Sequence, residues 1–303
     1  LILAILYSYV SQAKRPYQGP SRTPDEPEVT GVAVLLCHRL SEDRSRAEMT
    51  DDWAPARAKL VAGRWDDLGA RRYAQVPRLN RWNVVFALLR VSRSWPVAVT
   101  GAILHGLPIP ARARDASEQW DMIEVLEFAD ADSARCFLEG TTARSLAEDA
   151  APWVQHAEAI PMITTRAYLG THFAREATVT LFCLRARSEI GRTGMIDYWL
   201  DRHRPFVQGL RPLLNYAWYD QHIARGAEEL EAPARAYLPG HAPWDGVASI
   251  GYAHLRDMAS GLLDVRVQLA NMRLVNDETR FLDLPRSALL VGTVTCVLGD
   301  DPD

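Results

Sequence analysis

The chain has 303 residues, a formal net charge of −4, 48% hydrophobic and 24% charged residues. This is the make-up of a globular protein large enough for two cores, and its arginines are mixed with acids throughout, which argues against a nucleic-acid surface. No run reaches the roughly 18 apolar residues of a membrane span. Cys37, Cys136, Cys183 and Cys296 lack CxxC spacing, so free thiols in a reducing compartment are expected, with the cytoplasm as the default location and no metal site.

In chain order, residues 1–28 are proline-rich and polar after a short apolar opening, and read as an N-terminal arm. Gly31–Arg39 is an apolar run of strand length, Met49–Gly63 carries Trp53, Leu60 and Val61 near one helical face, and Arg71–Val76 reads as a second strand. An apolar, proline-ended insertion follows at about 80–117, with an isolated His105 that reads as loop punctuation. Trp120 opens a third strand on which Glu124 and Glu127 face opposite sides, so one carboxylate is expected to be buried and paired. A short helical stretch, Ser145–Gln155, and a closing strand, Ala159–Leu169, complete a βαββαβ pattern over 29–170.

The pattern then recurs over 171–303. Sliding the chain by 146 positions aligns Leu35–Leu68 with Leu181–Leu214 at 10 identities in 34 positions, among them Trp53 on Trp199. Unrelated segments give about two, so the chain is an internal duplication. Trp120 onward repeats from Trp244, and Asp149 matches Asp277. The copies differ at telling places: His203 stands where the first half has Arg57, and Ala248 and Gly251 stand where it has Glu124 and Glu127, which leaves room for a cavity. Tyr73 is read as the counterpart of Tyr216 after a three-residue deletion, and Ala224–Pro243 as a long loop able to act as a lid.

The phrase Tyr198-Trp199 followed by His203-Arg204-Pro205-Phe206-Val207 resembles the first helix of the EthD family of dimeric α+β barrels, which typically reads YWxxxHxPLV. Leu214–Ala217, Trp244–Val247 and Asn276–Asp283 agree with it. The resemblance implies an α+β fold in which two tandem ferredoxin-like units form an intramolecular barrel, an internal pseudo-dimer able to dimerise further. It also implies chemistry without cofactor on hydrophobic, often aromatic, carbonyl compounds.

An α-helix places Trp199, His203 and Phe206 on one face, with His203 as the general base. On the following strand Tyr216, Trp218, Asp220 and His222 alternate, so all four are expected on one face as partners: Tyr216 or His222 donating to an oxyanion, Asp220 orienting an imidazole. Tyr198, Trp199, Phe206, Trp218 and Trp244, with Arg57, Trp53 and Tyr73 of the first half, are the candidate substrate contacts. Arg57 is expected either to clamp a carboxylate or to pair with Asp51 or Asp52. No GxGxxG, Walker or GxSxG motif occurs. The expected activity is a cofactor-independent lyase: a dehydratase, decarboxylase or cyclase. The alternatives are a cofactor-free monooxygenase of phenols or anthrones and a noncatalytic small-molecule-binding protein.

Overall fold

The computed structural model describes residues 29–79, 114–115, 120–168, 174–238 and 244–299. The N-terminal arm and nearly all of the insertion, with His105, lie outside the described residues.

The first half comprises β1 (Val29–Leu40), α1 (Ala54–Ala62), β2 (Arg72–Pro77), β3 (Arg114–Asp115), β4 (Met122–Phe128), α2 (Ala131–Glu139), α3 (Thr141–Ala150) and β5 (Val154–Tyr168). The second comprises β6 (Thr178–Leu184), α4 (Gly191–Tyr198), α5 (Arg204–Leu214), β7 (Trp218–Ile223), α6 (Glu231–Tyr237), β8 (Gly246–Tyr252), α7 (Leu255–Leu263), α8 (Val265–Glu278), β9 (Ala288–Thr293) and β10 (Cys296–Gly299). The sheet order is β10-β2-β4-β1-β5-β7-β8-β6-β9-β3. Within it, β2-β4-β1-β5 and β7-β8-β6-β9 are two copies of the ferredoxin-like arrangement. They join at both edges: β5 pairs with β7, and β10, which follows directly on β9, pairs with β2. The barrel therefore closes within one chain, which removes the open edges that each half alone would expose.

Strand register repeats with the duplication. Leu36 faces Glu124 as Phe182 faces Ala248, and Tyr73 faces Leu126 as Tyr219 faces Ile250. The counterpart of Tyr73 is therefore Tyr219, at the unbroken shift of 146, and the deletion inferred from the sequence does not exist.

Alternation along the strands divides the apolar residues between two layers. Ala33, Leu35, Ile123, Val125, Leu181, Trp218 and Val247 fill the barrel interior, while the opposite sheet faces carry the helices, with Leu36, Tyr73 and Leu126 in the first half and Trp199, Tyr219 and Phe281 in the second. Gly251 on the interior face leaves space already taken by the Trp218 indole, so of the two positions expected to leave room only Ala248 faces the helices.

Each half's first helix contains a π-helical turn, at Met49–Trp53 and at Trp199–His203. The cause is a proline just beyond it, Pro55 or Pro205, which has no N–H to donate and whose ring clashes with the carbonyl four residues back. The widened turns close through Ala54 N–H to Met49 O and Arg204 N–H to Trp199 O. These prolines stand four residues off the repeat, so Trp53 ends its π turn while Trp199 begins the other. This wider turn breaks the i, i+4, i+7 face expected for Trp199, His203 and Phe206.

Candidate functional site

In the first half the layer between sheet and helices is filled by charge. Glu124, with no exposed surface, accepts from Arg57 Nε at 3.1 Å and Nη2 at 3.0 Å and from the Tyr73 hydroxyl, and His38 Nε2 lies 2.7 Å from its Oε2. Arg57 also reaches Asp149 at 3.3 Å and the Leu146 carbonyl. Burial pushes the Glu124 carboxyl up, but Arg57 and His38 outweigh it and hold the group well below the ordinary carboxylate range. Arg57 thus pairs with Glu124 and Asp149, not with Asp51 or Asp52. Trp53 packs edge-on to His38 and stacks on Trp153. Trp53, Arg57 and Tyr73 are therefore the filling of their own half and not contacts for a ligand at His203. The segment read as a lid on the second half also belongs here: Leu230, Ala234 and Leu238, in and around α6, pack with Phe128 and Phe137 against the first half.

The second half lacks this filling. Glu124 becomes Ala248 and Arg57 becomes the shorter His203. The consequence appears in four matched positions on the helix-facing side of the sheet. Leu36, Glu124, Leu126 and Phe128 are sealed, whereas their counterparts Phe182, Ile250 and Tyr252 are partly exposed and Ala248 keeps 8% of its surface. The helix-facing layer is therefore less tightly closed over these four positions than over their first-half counterparts. From Ala248 to Tyr252 this floor runs roughly 13 Å. Burial pushes the Tyr252 phenol up to about 12, while the residue stays partly exposed.

His203 ends the π turn and is buried. Its Nδ1 lies 2.9 Å from Asp277 Oδ2, and its ring packs on Phe281 at 5.1 Å. Asp277 in turn accepts from the Tyr198 hydroxyl at 2.8 Å, and Arg280 approaches it to 3.6 Å. Burial raises the Asp277 carboxyl, but the hydrogen bonds with His203 and Tyr198 outweigh that and leave it lowered, hence ionised. An ionised carboxylate at Nδ1 requires the proton on that nitrogen and leaves the lone pair on Nε2, which bonds to no described residue.

The partners expected for His203 are elsewhere. Trp218, Asp220 and His222 face the barrel interior, where His222 Nδ1 lies 3.0 Å from Thr164 Oγ1; the sheet separates them from the imidazole. Tyr216 precedes the strand and faces the helices instead, donating to the Val207 carbonyl at 3.3 Å. Period-two alternation holds only inside the strand, which begins at Trp218. Trp244 lies with the barrel interior beneath the Arg185 guanidinium. Tyr198 supports Asp277, and Trp199 donates to the Tyr219 hydroxyl at 3.0 Å while its ring covers Gly246. Phe206 stays partly exposed beside the helix-side cluster. Asp277 was missed, although its match to Asp149 is visible in the duplication: a residue beyond the strands has no face until the helices dock. Among the described residues no group of three His, Cys, Asp or Glu side chains is arranged to hold a metal ion, and no helix is long and apolar enough to cross a membrane. None of the four cysteines forms a disulfide with another described residue, and Cys37 and Cys183 are buried.

Two ferredoxin-like units whose sheets close on each other define a dimeric α+β barrel, here within a single chain. No protein-family model matches the chain, and no curated protein sequence does. Solved structures do. An anthrone oxidase-like protein superposes with a TM-score of 0.52 at 6% identity, over 90% of this chain and 95% of that one. A candidate monooxygenase from Lactobacillus acidophilus NCFM gives 0.46 at 6% identity, over 89% and 96%. At such identity the likeness is one of fold.

Proposed function

We propose that the second half is a cofactor-independent enzyme site, of lyase type, in which His203 abstracts a proton next to the carbonyl of a hydrophobic, aromatic substrate. One observation carries this reading: an imidazole held through Nδ1 by Asp277 belongs to the half whose helix-facing sheet positions are partly exposed, where those of the other half are sealed. Asp277 orients the ring and stabilises the imidazolium as it forms. Phe182, Ala248 and Ile250 suit a flat apolar body, and Phe206 stands at the helix side. The EthD-like phrase around His203 favours the same chemistry.

The test is deuterium uptake from D2O into the α-position of 4-phenylbutan-2-one, followed by NMR. Wild-type protein accelerates exchange; His203→Ala, folded by circular dichroism, loses at least about 100-fold of that acceleration. Equal rates for the two proteins refute the assignment. The same carbanion is the entry to oxygen chemistry of the kind named for the anthrone oxidase-like neighbour, and oxygen consumption with an anthrone distinguishes that outcome.

A further inference from the structure

We propose that Glu278 is the general acid that works opposite His203, which makes the natural substrate class aromatic β-hydroxy ketones and the reaction a dehydration. The inference rests on the assignment of His203 as base.

The core-facing stripe of α8 runs through Val267, Ala270 and Leu274, and continues to the fully buried Phe281. Glu278 falls four residues after Leu274 on the same stripe, where an apolar residue belongs. Its counterpart in the first half is Ala150, which is buried beside Trp53. A carboxyl has thus been introduced on the helix in the half that lost the sheet carboxyl Glu124. The Glu278 side chain makes no hydrogen bond or ion pair with any described residue, although Asp277 beside it bonds to His203 and Phe281 just beyond packs on the same imidazole, and it keeps part of its surface open. A carboxyl on the core-facing stripe that touches solvent and is left without a cation has nothing structural to bind. Burial and the neighbouring Asp277 raise it, with His203 opposing, and its place at the C-terminal end of α8 disfavours charge further. Two titratable groups in one site, one fixed as a proton acceptor and the other favoured as a proton donor, divide the acid and base roles.

The step balances without an outside reagent. His203 Nε2 takes the proton from Cα; the C–H electrons form the Cα–Cβ double bond; the Cβ–O bond breaks as Glu278 delivers its proton to the departing hydroxyl. The products are the conjugated enone and water, and a proton passed from the imidazolium to the Glu278 carboxylate resets the site.

The experiment compares 4-hydroxy-4-phenylbutan-2-one with its O-acetyl ester. Both give the same enone, read by ultraviolet absorbance, but acetate departs without being protonated. Glu278→Gln is expected to lower the ratio of alcohol to ester turnover on the order of 100-fold. His203→Ala slows both probes together and leaves the ratio near its original value. Glu278→Ala, which copies the first half, serves as a second variant with the same expected ratio. An unaltered ratio in both Glu278 variants overturns the acid assignment while the base stands. Undiminished turnover in His203→Ala overturns the base itself. Wild-type protein that eliminates neither probe above the buffer rate overturns both assignments for this substrate class.

Discussion

Replacing Arg57 with alanine tests why only one half is open. The substitution removes both guanidinium bonds to Glu124, at 3.1 and 3.0 Å, the bond to Asp149 and the one to the Leu146 carbonyl. Glu124 stays wholly enclosed with only His38 and Tyr73 for partners. Breaking a buried pair on one side costs about 3–5 kcal/mol because the surviving charge is stranded. At about 2–4 °C per kcal/mol for a domain of this size, the melting temperature falls by roughly 6–20 °C. Replacing both partners by apolar residues of similar volume, Arg57→Met with Glu124→Leu, removes the stranded charge and is expected to stay within about 1–2 kcal/mol of wild type. Urea denaturation of the two single variants and the double variant measures the coupling. Acid supplies a second readout. Glu124 is depressed in the folded state, so its contribution is complete above the unfolded carboxyl value of about 4.3 and is lost as pH falls below it. The double variant lacks this loss. An Arg57→Ala protein within about 1 kcal/mol of wild type refutes the claim that this ion pair holds the first half closed.

Asp277→Asn keeps a hydrogen-bonding group beside His203 Nδ1 but no longer dictates the tautomer; α-exchange should fall roughly 100-fold or more while the melting temperature changes little. Glu278→Ala should raise thermal stability at pH 7. Its raised carboxyl makes the folded state bind more protons than the unfolded one above the unfolded value, so the charge costs stability there and the gain should vanish as pH falls below about 4. A lower melting temperature at pH 7 counts against an unpartnered carboxyl at this core-facing position. Gly251→Ala drives a methyl into the Trp218 indole, and chemical denaturation should register a loss of about 1–3 kcal/mol, reduced when Trp218→Leu is added.

Much of the architecture can be read from the residues alone, because a duplicated sequence must repeat its strand register and the hydrophobic runs assign each strand. The buried, paired carboxylate on β4 was likewise predictable, since Glu124 and Glu127 cannot both face water from one strand. His203 was found through its surroundings in the phrase and its replacement by Arg57. The residues that contact it, Asp277 and Phe281, were not. Pro205 forces a π turn that takes the imidazole off the face a regular helix would give it. The sheet, invisible as a barrier in one dimension, puts Trp218, Asp220 and His222 on the far side.

What the sequence by itself determined is the pair of βαββαβ units and the chemical difference between them, a histidine, an alanine and a glutamate against an arginine, a glutamate and an alanine. Only the tertiary structure decided what that difference does. Asp277 and Glu278 come from a helix some 74 residues beyond His203, and whether they meet an imidazole, a cation or solvent depends on how α8 docks against α5 and the sheet. That docking is set by packing of apolar stripes whose partners no local pattern names.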